Sequence, residues 1–241
     1  MLPMSAGEIV LAAGVIAVGG LVHGSIGIGF VLIAGPVVAL LEPRAVPALF
    51  ILLGIPMETW MVLRERGALD LSGFTQMIGG RVIGTLAAFG VLVLVSPQLL
   101  TGLVGSAIVI AAVMSWRMVG FSAGPGTKVL AGGVSGLMAT VGAVGGPALA
   151  LAYQDRDAPE LRATLAATFL ATDLLPVAVL AASGLLHWWH VRLAFVLLPA
   201  QLLGVGLSNV LIGRLDPRAV RAGVLLIAAV GGMAVVLKAV V

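Results

Sequence analysis

The chain has 241 residues, 61% of them hydrophobic and 10% charged, with a mean hydropathy of +1.20 and a formal net charge of +3. Such a composition excludes a soluble globular domain and places the chain in a bilayer. Without cysteine there are no disulfides and no thiolate metal sites. The basic residues sit mostly at the ends of apolar runs, where they orient membrane helices rather than form a nucleic-acid surface.

The first apolar run, 8–41, has no basic stretch before it, so Ile9 onward reads as mature protein and not as a cleaved leader. As one helix it would be about 50 Å long, too much for a single crossing of a hydrocarbon core about 30 Å thick and too little for two. It contains Gly20-Leu-Val-His-Gly-Ser-Ile-Gly-Ile-Gly-Phe30, a glycine-broken stretch. A re-entrant hairpin with its tip at these glycines fits that length. Runs at 45–63, 71–95 and 98–118 follow. The run at 128–153 carries a second glycine-broken stretch, Gly136-Leu-Met-Ala-Thr-Val-Gly-Ala-Val-Gly-Gly-Pro147, and runs at 161–186, 191–213 and 219–240 complete the chain.

The two halves correspond at an offset of about 120 residues. Arg44-Ala45 matches Arg162-Ala163, Gly67-Ala68-Leu69 matches Gly184-Leu185-Leu186, Gly84 matches Gly204, and Ser96-Pro97 matches Asp216-Pro217. Charge selects the topology. With one hairpin and three crossings per half, Arg64, Arg66, Arg117, Lys128, Arg156, Arg162, Arg214, Arg218 and Arg221 share one side, and Arg44, Arg192 and Lys238 the other. Eight plain crossings would divide the same residues evenly, so only the hairpin arrangement obeys the positive-inside rule. The expected fold is an all-α integral membrane protein of two inverted repeats, 1–120 and 121–241. Each is a re-entrant glycine-broken hairpin plus three transmembrane helices, giving six full crossings with both termini outside.

In an inverted repeat two such tips enter from opposite faces and meet near the midplane, where a transporter binds its substrate. The second arm of each hairpin would start near Gly29 and near Pro147, a residue favoured at a helix start. Their free N–H groups and positive dipole ends would then face the centre, an arrangement that binds anions. Gly27, Ile28, Gly29 and Phe30 of the first tip and Gly145, Gly146 and Pro147 of the second are the candidate substrate contacts. For any one glycine, close helix packing is the competing explanation, as in Gly20-xxx-Gly24 and Gly80-xxx-Gly84.

Arg81 lies about 16 Å into its crossing by helix rise, too deep to snorkel easily, so function is the default reading. It contacts an anion, pairs with Asp173, which lies at similar depth, or does both. Gln201 stands at the repeat-equivalent of Arg81 and is a further candidate contact. His23, near the first tip, either donates to the anion or is a satisfied core histidine. Asp173 is a charge partner or carrier of a coupling proton. Glu58 is a weaker candidate for that role, close enough to the Arg64-Glu65-Arg66 loop to reach the interface. His187-Trp188-Trp189-His190 reads as an interfacial aromatic anchor rather than a metal pair. Gly24-Ser25-Ile26-Gly27 lacks a base for a serine nucleophile, so an enzyme is not expected.

The glycine-rich opening Gly20–Phe30, then Gly133-Val134-Ser135-Gly136, Val144-Gly145-Gly146-Pro147-Ala148-Leu149-Ala150-Leu151 and Leu161-Arg162-Ala163-Thr164-Leu165 resemble the TauE/SafE family over nearly the whole chain. The first half departs from the pattern at Phe30, where a further glycine is common, and has no Gly-Gly-Pro. The resemblance implies secondary transport, by export, of a small sulfur-containing anion such as sulfite, sulfoacetate or thiosulfate. The residues themselves indicate an inverted-repeat transporter for an anion, with an anion channel built on the same tips, or a non-transporting membrane scaffold, as rivals. The expected partners are a small anion, the lipid bilayer of the inner or plasma membrane, protons as a candidate coupling ion, and a second copy of the chain in a candidate homodimer. No cofactor, metal or nucleic acid is expected.

Overall fold

A computed structural model describes residues 2–116, 124–153, 155–211 and 217–240. Its regular elements are helices: α1 (Ala6–Ile26), α2 (Phe30–Leu41), α3 (Val46–Glu65), α4 (Leu71–Val93), α5 (Pro97–Trp116), α6 (Pro125–Gly142), α7 (Gly146–Leu151), α8 (Ala158–Thr172), α9 (Leu174–Ala182), α10 (Trp188–Leu211) and α11 (Pro217–Val240). Short 3₁₀ turns flank α3. In hydrocarbon a backbone cannot bond to water, so helices that satisfy their own N–H and C=O groups are the natural solution.

Among the described residues seven helical segments are long and apolar enough to cross a membrane, one more than the six full crossings expected. The additional one is α1. A capping box starts it, with the Ser5 N–H donating to Glu8 Oε2 at 2.7 Å. The helix runs on through Gly14, Gly19, Gly20 and Gly24 and ends only at Gly27, so α1 reaches 21 residues, about 31 Å. The first break therefore has unequal arms, since α2 has 12 residues. The arms of the second break, α6 and α7, have 18 and 6.

Gly27 ends α1 in the left-handed region at φ 82°, its N–H donating to the His23 carbonyl, and Gly29 caps α2 at φ 118°. Both positions are open to glycine at no steric cost. The second break turns at a different residue type: its left-handed residue is Ala143, at φ 57°, while Gly145 is helical. A non-glycine residue there costs about 1–2 kcal/mol. Gly145 and Gly146 therefore serve close approach and not the turn. A Cβ on Gly145 would meet Ser135, and one on Gly146 would meet the Ile28 side chain at 3.2 Å.

Packing is exchanged between the two halves of the chain. α1 lies parallel to α10, with Gly20 against the Gln201 carbonyl and Gly204 against that of Ala17. α6 lies parallel to α4, with Gly80 against the Val129 carbonyl and Gly84 against that of Gly133. α5 and α11 run antiparallel, Gly102 meeting Ala239 and Gly105 meeting Val236. Small residues let these backbones touch, and close van der Waals packing supplies the cohesion that the hydrophobic effect cannot supply between helices in lipid.

Side-chain contacts sort the helix ends into two groups. At one end Arg64 reaches Asn209, Arg162 reaches Glu65, and Asp70 joins Lys128, Tyr153 and Thr164. At the other, His190 meets the Arg44 carbonyl and Lys238 donates to that of Leu40. Arg117 and Arg214 of the expected basic side lie outside the described residues, as do the side chains of Arg218 and Arg221.

Asp70 ties the loop after α7 to the start of α4. It caps α4 through the Ser72 N–H and accepts from the Tyr153 hydroxyl and from Lys128 Nζ at 3.2 Å. Gly73 is required beside it, because a Cβ would collide with that hydroxyl. The Tyr153 hydrogen bond, more than Lys128, pulls the Asp70 carboxyl down from its ordinary 3.8 to about 2, against the opposing effect of burial.

Two predictions follow from this packing. Gly80→Ala drives a methyl into the Val129 backbone and abolishes the stable monodisperse protein. Gly90→Ala, with nothing within 4 Å, leaves melting unchanged or raises stability by about 0.5–1 kcal/mol. Because the Asp70 carboxyl is depressed in the fold, its contribution is fully present above pH 3.8 and disappears as pH falls through about 2. Tyr153→Phe should cost about 1.5–3 kcal/mol at neutral pH, the usual worth of a hydrogen bond to a charged group. Its deficit relative to wild type should shrink in melts taken below pH 3.8.

Candidate functional site

The two breaks meet at one cavity of about 60 Å³. From the first come His23, Ile28, Gly29, Phe30, Val31 and Leu32; from the second come Ala143, Val144, Gly146 and Pro147. Helix α3 adds Phe50, Ile51, Gly54, Met57 and Glu58, α6 adds Ala139, and the α8–α9 segment adds Phe169 and Asp173. The first turn of α2 has no side-chain cap. Its leading N–H groups have no intrahelical acceptor by the geometry of any helix start.

Of the residues expected at the site, His23, Ile28, Gly29, Phe30, Glu58, Gly146, Pro147 and Asp173 line this cavity. Gly27, Arg81, Gly145 and Gln201 do not. Gly27 packs on Arg162, and Gly145 on Ser135. The Gln201 amide donates to the Leu53 carbonyl at 2.7 Å, tying α10 to α3.

Arg81 is fully enclosed, at 0% exposure. Its Nε donates to Thr172 Oγ1 at 2.7 Å, one terminal nitrogen to Ser135 Oγ at 3.0 Å and the other to Asp173 Oδ1 at 2.7 Å. The guanidinium also lies over the Phe169 ring, 4.5 Å from its centroid. Of the two roles open to it from sequence, the geometry displays the pairing: the guanidinium stands behind the cavity wall, and Asp173 is interposed. Asp173 sits where α8 stops and α9 begins, so the break in the span Ala158–Ala182 aims its carboxylate inward.

Glu58 corrects the expectation that it reaches the interface. It is 3% exposed and its Oε1 lies 3.2 Å from His23 Nε2. The α3 helix continues about two further turns to Glu65, which places Glu58 inside the bundle.

Ser135, Thr172 and Phe169 escape a reading of the sequence because hydroxyl and aromatic groups are unremarkable in membrane helices. The spacing of Thr164, Thr168 and Thr172 is the available signal. Thr168 and Thr172 each donate to the carbonyl four residues back, forming one polar stripe along α8. Near the charged end, Arg64 donates to the Gly24 carbonyl at 2.7 Å and Arg162 to that of Ser25 at 3.3 Å, while both contact Glu65. These arginines close the α1 side of the first break.

A family model described as sulfite exporter TauE/SafE matches residues 11–235. The chain belongs to the sulfite exporter TauE/SafE family. Comparison with curated proteins and with solved structures returned no match. TauE/SafE proteins are membrane transporters, which agrees with the apolar helices and makes the cavity a place to seek transported solute rather than a reacting substrate.

The buried pair sets a further prediction. Arg81→Leu strands the Asp173 carboxylate and should destabilise the protein by about 3–5 kcal/mol, whereas the double change Arg81→Leu/Asp173→Leu should recover most of that loss. Thermal melting of the three proteins in one detergent checks it.

Proposed function

We propose that this TauE/SafE protein is a secondary transporter that exports a small sulfur-containing anion, sulfite or an organosulfonate, by alternating access around a midplane site between its two broken helices. The observation that carries this reading is the meeting of both breaks at one cavity, close enough that a Cβ on Gly146 would touch Ile28. The repeats 1–120 and 121–241 are taken to be inverted. The exchanged parallel pairs, α1 with α10 and α6 with α4, and the antiparallel pair α5 with α11 support that reading.

In this reading the leading N–H groups of α2 and the imidazole of His23 bind the oxyanion, while Gly29 and Gly146 keep the space clear of side chains. Arg81 acts indirectly: it neutralises and orients Asp173, so that this carboxylate does not face the anion unpaired. The Arg64–Glu65–Arg162 cluster and its hold on the Gly24 and Ser25 carbonyls form the closed gate on one side. A gate made of ion pairs supports alternating access over an open channel.

Sulfite, thiosulfate, sulfoacetate and sulfate, with chloride as control, should separate in a thermal-shift titration, since a ligand that binds the native state raises its stability with concentration. Selective stabilisation by a sulfur oxyanion is expected, together with saturable counterflow of the labelled anion in liposomes. Uptake that dissipates without counterflow would favour a channel. No response to any of the anions would remove the substrate assignment.

A further inference from the structure

We infer that the His23–Glu58 pair is a proton-binding site that loads one proton with each anion; this rests on the anion-transport reading above. His23 stands on α1, four residues before the break at Gly27, and Glu58 on α3. Their side chains, 8% and 5% exposed, meet at 3.2 Å in the cavity wall. Glu58 Oε2 is buried and has no hydrogen-bond partner among the described residues. An unpartnered buried carboxylate oxygen is costly unless a proton or a donor reaches it.

The surrounding charges single this pair out. Asp173 shares the wall, but the Arg81 guanidinium on α4 already neutralises it at 2.7 Å. Arg64, further along α3, is occupied by Glu65, Ser208, Asn209 and the Gly24 carbonyl. Elements α2, α6 and α7 line the cavity with uncharged residues: Phe30, Ala139 and Pro147 among them. Helix α10 meets α1 near His23 through Gln201, Val205 and Ser208, also uncharged. Among the described residues Glu58 is therefore the cavity carboxylate with no guanidinium or ammonium in ion-pair contact; His23 is its contact partner, and it feels Arg81 and Asp173 at longer range.

Charge then dictates the coupling. With a neutral imidazole and an ionised Glu58 the pair carries one negative charge, and an incoming anion would add a second in a low-dielectric space. One proton taken from water by the pair gives imidazolium and carboxylate, or imidazole and carboxylic acid, with no net charge. The anion and the proton together leave the total charge of the cavity as it was. On release of the anion the proton returns to water from the same two side chains, and no bond to the substrate forms or breaks. Because the pair bridges α1 to α3, its protonation also alters the contact that holds the first break against the rest of the wall.

The test uses the purified full chain with ethanesulfonate and methanesulfonate, monoanions that keep their single charge across the window of about pH 5 to 8 in which a histidine titrates. Affinity should weaken about tenfold per pH unit on the alkaline side of the pair's titration, as linkage of one proton to one anion requires. Calorimetry in two buffers of different ionisation heat should show uptake of about one proton per anion bound there. Glu58→Gln, which keeps a hydrogen bond to His23 and removes the charge, should flatten the pH profile. Arg81 and Asp173 remain intact in that variant. Binding that is flat with pH in the wild type, with no proton uptake, overturns the proton site and leaves the transport reading standing. A profile that stays steep in Glu58→Gln assigns the proton elsewhere and also overturns it. Absence of binding by both anions at every pH counts against the sulfur-anion assignment of the reading above, and with it the proton site that rests on it. If the variant fails to fold, the wild-type proton count decides.

Discussion

A guanidinium enclosed within a bundle must find every partner inside the protein, and Arg81 organises this molecule around that requirement. Its three described hydrogen bonds run from α4 to Ser135 on α6, Thr172 at the end of α8 and Asp173 at the α8–α9 break. The helix break puts Asp173 within reach; the pair in turn gives the break one orientation. The Phe169 ring under the guanidinium shields it further. Behind the cavity, then, stand the paired Arg81 and Asp173, and the other carboxylate among its described lining residues is Glu58.

Close approach of backbones makes that arrangement possible. Ser135 can reach Arg81 because Gly80, Gly84, Gly132 and Gly136 let α4 and α6 touch main chain to main chain. The corresponding contact of α1 with α10 accompanies the placement of His23 in the cavity wall and of the Gly24 carbonyl against Arg64. Each half of the chain thus places its broken helix against a helix of the other half. Both halves contribute residues to the one cavity.

Particular residues show how far the sequence could be read. Gly27 and Gly29 were legible as a break because their positive φ angles are the conformations that glycine permits. Ala143 was not: nothing in its chemistry announces a left-handed residue. Glu58 looked interfacial from its distance along the chain to Arg64-Glu65-Arg66. Only the depth of α3 in the bundle and the approach of α1 reveal it as a buried partner of His23. Arg81 was legible as buried and as a partner for Asp173, but Ser135 and Thr172, distant in sequence, were not.

The sequence by itself determined the solvent, the helical class, the places where two helices must break and the family, because hydropathy, glycine and local motifs act over a few neighbouring residues. It also left Arg81 and Asp173 without water, which forces some pairing. The tertiary structure decided which breaks meet, which side of Asp173 faces the cavity, and that His23 and Glu58 share a wall. Those outcomes depend on contacts between segments more than a hundred residues apart or on separate helices. No local preference encodes such contacts; they follow from how glycine-lined surfaces fit.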